Sequence, residues 1–163
     1  MRTITIAMLS LTFIIGAISV YLSLAIQGDI AASKTGCSES LQKANTGVLV
    51  LSTVMVTTTL VMAYSAHACK CNNSSTQTNI SKAEKMVYSS FILILSVVLT
   101  TLGAIMKDNA ENSGHMCPGV ASKASTIMGM GIVGILVMLG GGGYIGYEYH
   151  KKNSNSSRKS SEA

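Results

Sequence analysis

Few residues in this chain have the type and spacing to do chemistry, and cysteine is the most informative of them. There are four, at Cys37, Cys69, Cys71 and Cys117. His67, Cys69 and Cys71 alternate along the chain and offer three metal ligands. Alternate spacing at a helix end does not converge three side chains, however, and no fourth ligand is near. His115-Met116-Cys117, with Met128 and Met130, carries thioether and thiolate groups that suit copper(I). Fixed spacing of methionines along a pore is missing, and most of the ten methionines read as adaptable filling in apolar helices. No metal and no other cofactor is expected. Cys69-Lys70-Cys71 follows an apolar stretch beside a basic residue, the setting of reversible palmitoylation, with inert thiols as the alternative.

The elements that must position these residues are hydrophobic. The chain is 48% hydrophobic and only 12% charged, against about a quarter charged in ordinary soluble domains. Nearly all the apolar residues fall in four blocks without a formal charge: Thr3 to Ile26, Ala44 to Cys69, Met86 to Met106 and Ala124 to Tyr147. Each reaches the length of about 20 residues that a helix needs to cross the hydrocarbon core. The expected fold is all-α: a four-span transmembrane helical bundle over residues 1–150, with spans at about 4–26, 48–67, 86–106 and 125–147. A polar, basic tail of residues 151–163 follows, disordered by composition. The apolar run of the first block exceeds the core of a secretory signal, which predicts a retained span. Gln27, Gly28 and Asp29 are expected to end that span, and a polar loop is expected to run to about Asn45.

No Asp, Glu, Lys, Arg or His lies in the middle of any span. Such groups mark proton relays, ion pathways and catalytic centres, because keeping them in hydrocarbon is costly. Their absence argues against a coupled transporter and an intramembrane hydrolase. The extramembrane segments of about 20 residues or fewer are too short to preorganise an active site, so no catalytic residue and no enzyme is expected. A pore lined by threonine hydroxyls or glycine carbonyls stays open, with the Gly140 to Gly143 run as its candidate filter.

Small residues are the other resource. Between Ile127 and His150 stand eight glycines, each costing about 1 kcal/mol relative to alanine in a water-exposed helix. In lipid the backbone hydrogen bonds hold the helix, and glycine offers a surface on which a second helix can lie close. Gly142-x-x-x-Gly146 has that spacing. So do Thr53-x-x-x-Thr57 and Thr59-x-x-x-Ala63 in the second span and Ser96, Thr100 and Ala104 in the third. Gly16, Ser19 and Ser23 stand at helical spacing and make one face of the first span small. Tyr144, Tyr147 and Tyr149 form a candidate aromatic belt at the end of the fourth.

Lysine and arginine set the orientation. With the N-terminus inside, eight of the twelve fall on the inner side (Arg2, Lys70, Lys82, Lys85, Lys151, Lys152, Arg158 and Lys159). The outer loops hold Lys34, Lys43, Lys107 and Lys123. Both termini are therefore expected on the cytoplasmic or inner side. The net charge of +5 follows from this bias and the tail, with no basic patch on a folded face for nucleic acid. A slide of 80 residues places Cys37 on Cys117, Lys43-Ala44 on Lys123-Ala124, Thr46 on Thr126 and Tyr64 on Tyr144, a hint that the two hairpins are related by duplication. Cys37 and Cys117 then share one side of the membrane. A disulfide between them would close a loop of about 80 residues and stabilise by about 2–4 kcal/mol; intermolecular pairing and free thiols are the alternatives.

With spans joined by Asn/Ser/Lys linkers such as CNNSSTQTNISKAEK, the chain resembles in general plan the small membrane proteins of large icosahedral double-stranded DNA viruses. That resemblance implies a structural protein of a virion's internal membrane, tied from one face to capsid or other structural proteins. The expected partners are the lipid bilayer, such proteins, and further copies of the chain through the glycine face of the fourth span. The contrasting expectation is a small homo-oligomeric channel.

Overall fold

The computed structural model describes the backbone of residues 2–32, 39–68, 77–112 and 119–159, and the side chains of 6–32, 39–65, 86–112, 119–141 and 143. Every described segment is helical: α1 Arg2–Ala32, α2 Glu39–Ala68, α3 Gln77–Asn112 and α4 Val120–Lys159. Each contains a stretch long and apolar enough to cross a membrane, namely Ile6–Ala32, Glu39–Ser65, Met86–Asn112 and Val120–Gly141. Short connections make consecutive helices antiparallel neighbours. The helices close into a ring in which α1 lies beside α2 and α4, and α3 beside α2 and α4; α3–α4 is the most extensive seam, followed by α1–α2.

The helices outrun the apolar blocks. Gln27, Gly28 and Asp29 do not end α1, which continues to Ala32; α2 begins at Glu39 rather than after Asn45; and α3 runs on past Met106 to Asn112. The cause is the core. Leu41, Ala44, Ala110 and Val120 are buried with Ile26 and Met106 in one apolar cluster, so the bundle keeps burying surface, and hence keeps its helices, beyond the uncharged stretches. Glu39 in the first turn of α2 favours that start through the helix dipole, and its exposed pair with Lys43 at 2.7 Å adds a fraction of a kcal/mol, about 0.3–0.5. At the other end of the bundle, α4 continues to Lys159, so residues 151–159 extend the last helix instead of forming a loose tail. A nucleated helix propagates residue by residue at little further cost.

A second apolar cluster fills the other half of the bundle, around Ile15, Met55, Tyr88, Ile92, Leu95 and Met138. The outward surface carries Ile14, Leu24, Val61, Val87, Ile94 and Leu136. A helix apolar on both its core-facing and its outward surface is what a bilayer requires.

Candidate functional site: helix seams and a buried polar column

Glycine governs the α3–α4 seam. A Cβ added at Gly103 would stand 2.7 Å from the backbone nitrogen of Met128 and 2.9 Å from its Cα. At Gly131 it would stand 2.8 Å from the Thr100 nitrogen and 3.0 Å from the Ser96 carbonyl oxygen, and at Gly134 2.6 Å from the Ser96 Oγ. Real side chains do not tolerate such distances from backbone, so only glycine permits the approach at 103 and 131, while at Gly134 the obstacle is the Ser96 side chain. In lipid, where apolar burial between helices gives no net drive, the resulting van der Waals contact is what holds the pair. Across the ring, Gly141 of α4 receives the end of the Met8 side chain from α1, and Gly16 of α1 lies against Val56 and the Ser52 carbonyl of α2.

Gly16, Ser96 and Thr100 thus sit in close seams, Gly16 against α2 and the other two against α4. Ala104 is exposed, because at that point of α3 it is the adjacent Gly103 that meets α4. Thr53 and Thr57 also face outward, each hydroxyl donating to a backbone carbonyl of its own helix: Thr53 to Leu49 at 2.8 Å, Thr57 to Thr53 at 3.0 Å. Thr59 alone of that set is buried. Gly142, Gly146, Tyr144, Tyr147 and Tyr149 lie on α4, with their side-chain positions outside the described residues. Cys37, Cys69, Cys71 and Cys117 fall outside the described segments.

Polar groups inside the bundle connect helix to helix. On α2, Asn45, Ser52 and Thr59 are buried to 3%, 1% and 2% exposure and recur every seven residues, which keeps them on one face of the helix. The Asn45 Nδ2 donates to the Ser23 carbonyl of α1 at 3.1 Å, and the Ser23 hydroxyl lies 2.8 Å from the Asn45 Oδ1 and 3.1 Å from its backbone oxygen. Two helices are thereby tied through a buried amide whose groups would otherwise be left unsatisfied in hydrocarbon. At the other end of the face, the Thr59 and Tyr88 hydroxyls share a hydrogen bond of 3.1 Å between α2 and α3. Ser89 on α3 reaches the Met138 sulfur of α4 at 3.8 Å.

Among the described side chains, the charged groups lie at one end of the bundle. Lys123 of α4 donates to the Asp29 Oδ2 of α1 in a half-buried ion pair. Gly119, at φ +84°, turns the chain into α4 and accepts the first helical hydrogen bond from the Lys123 nitrogen at 3.3 Å. The Asp29 carboxylate stands beside this turn, about a van der Waals contact from where a Gly119 Cβ would be, and complements the positive end of α4. Among the described residues no group of His, Cys, Asp and Glu could hold a metal ion.

Sequence reasoning did not find Asn45, Asp29 with Lys123, or the glycines 103, 131 and 134 as contact residues. The seven-residue recurrence of Asn45, Ser52 and Thr59 was the available signal for the first. The four spanning helices and their seams define an integral, multi-pass membrane protein. No protein-family model, curated protein or solved structure matches the chain.

Proposed function

We propose that the chain is a structural membrane protein that anchors or spaces an assembly, joining a bilayer to a protein layer on one face. One observation carries this reading: buried polar side chains tie helix to helix at both ends of the α2 face, as Ser23 does with Asn45 and Thr59 with Tyr88. Charge is confined to the helix ends, and apolar clusters fill both halves. Such an interior suits a rigid post. The general likeness to the internal-membrane proteins of large icosahedral DNA viruses favours a virion membrane and its capsid as the layers joined. Both termini on the inner side, favoured by the lysine and arginine distribution, would present the α4 extension to that face.

A similar register in the two hairpins supports descent by duplication. Shifting the α1–α2 contact of Gly16 with Ser52 and Val56 by 80 residues gives position 96 against 132 and 136, and Ser96 meets Gly131 and Gly134. The Ser23–Asn45 pair maps onto position 103 against 125, and Gly103 meets Met128. Both agree within about one helical turn.

Cross-linking mass spectrometry of the native membrane through Lys34, Lys151, Lys152 and Lys159 tests the anchor. Links to other structural proteins of the assembly are expected. Links only between copies of the chain, together with ion flux across planar bilayers, would replace the anchor with a channel.

A further inference from the structure

The buried face of α2 has a gap in its pairing. Asn45 is engaged by α1 and Thr59 by α3, while Ser52, midway between them and 1% exposed, has no hydrogen-bond partner for its hydroxyl. Ser96 on α3, fully buried, is the other such side chain among the described residues. The two stand at one depth. Ser52 lies seven residues from Thr59 along α2 and Ser96 eight from Tyr88 along the antiparallel α3, while on the opposite side they lie twelve and thirteen residues from the Ser40–Asn109 contact, 3.5 Å. Their flanking helices contribute glycine at the same layer, Gly16 of α1 against Ser52 and Gly134 of α4 against Ser96.

This layer is built of small side chains, and one apolar cluster lies on each side of it. Elsewhere the buried hydroxyls of Ser19 and Thr59 and the half-buried hydroxyl of Thr100 bond to the carbonyl four residues earlier in their own helices. Ser52 and Ser96 do not, and the Ser96 Oγ is instead turned towards α4 at Gly134. A buried hydroxyl without a partner is strongly disfavoured, more so in hydrocarbon. Neutral polar groups at a site without charge call for a neutral ligand that both donates and accepts, and water meets its own need for two to four polar partners there. We propose that Ser52 and Ser96 hold a shared water molecule at the centre of the bundle, bridging the two hairpins and sealed from both membrane faces by the apolar clusters.

The test is water-selective nuclear Overhauser spectroscopy on the full-length, isotope-labelled chain in lipid nanodiscs, with Ser52→Ala, Ser96→Ala and Ser19→Ala variants. Cross-peaks from long-lived water to the backbone amide protons of both Ser52 and Ser96 are expected in the parent chain and in Ser19→Ala. Because the water is shared, Ser52→Ala should lose the cross-peak at Ser96 as well as its own, and Ser96→Ala the one at Ser52. Exchange of a serine's own hydroxyl proton cannot mimic that mutual loss. A parent chain without either cross-peak, or variants that each lose only the local one, would overturn the shared site.

Discussion

Asn45 of α2 and Ser23 of α1 grip one another through backbone and side chain together, the Asn45 amide donating to the Ser23 carbonyl oxygen at 3.1 Å while the Ser23 hydroxyl sits 2.8 Å from the Asn45 Oδ1. In a membrane such pairs contribute about 0.6 kcal/mol on average and up to about 1.7. This one, being reciprocal and buried, belongs near the upper figure. Asn45→Ala and Ser23→Ala should each lower unfolding free energy by about 1–2 kcal/mol, and the double variant should lose less than their sum. Steric-trapping measurements in bicelles read this directly; strict additivity would mean that the pair does not act as a unit.

The two faces of α4 should answer oppositely to the same substitution. Gly131→Ala and Gly134→Ala push a methyl group into Thr100 and Ser96 and should destabilise by about 1–3 kcal/mol through overpacking. Gly129→Ala and Gly140→Ala meet nothing within 4 Å and should be neutral or slightly stabilising. If all four behave alike, the seam is not where the helices meet.

Asp29 makes two favourable charge contacts and Lys123 makes one. The aspartate pairs with Lys123 and faces the start of α4, whereas the lysine has only the pair. Asp29→Asn should therefore cost more than Lys123→Met, each within about 1 kcal/mol for a half-exposed pair. The exchange Asp29→Lys with Lys123→Asp should recover only part of the loss, since it sets a cation beside the positive end of a helix. Full recovery, read by thermal unfolding in detergent, would remove the helix-end contribution.

Ring order can be read by cross-linking. Ser40 of α2 and Asn109 of α3 are near neighbours, so Ser40→Cys with Asn109→Cys should join within one chain through a short bismaleimide. The four native cysteines are first changed to serine. Products that form only between chains would break the proposed neighbour relation of α2 and α3.

The four helices were legible because a bilayer writes its thickness into the sequence as uncharged length. Their ends were not. Gln27 to Asp29 looks like a stop, yet a helix outside the hydrocarbon can carry polar residues freely, and Asp29 finds Lys123 only in three dimensions. Glycine-rich character on α4 was equally plain, but which glycines touch a neighbour depends on rotation about the helix axis, and α4 has glycine on both its packed and its open side. Spacing alone selected Gly142 and Gly146, whereas the described contacts fall on Gly131, Gly134 and Gly141. Ala104 illustrates the same limit, since a shift of one residue to Gly103 moves the contact from the outward surface into the seam.

The unbroken length of α4 sets a distance. Its helix runs from Val120 to Lys159, and the twelve residues beyond Tyr147, the end of the uncharged stretch, add about 18 Å of axial reach at about 1.5 Å per residue. Five of those positions are His150, Lys151, Lys152, Arg158 and Lys159. Under the anchor proposal, a helical, cationic extension of that length would hold a bound partner at a defined stand-off from the lipid headgroups, where a loose segment would allow a range of separations.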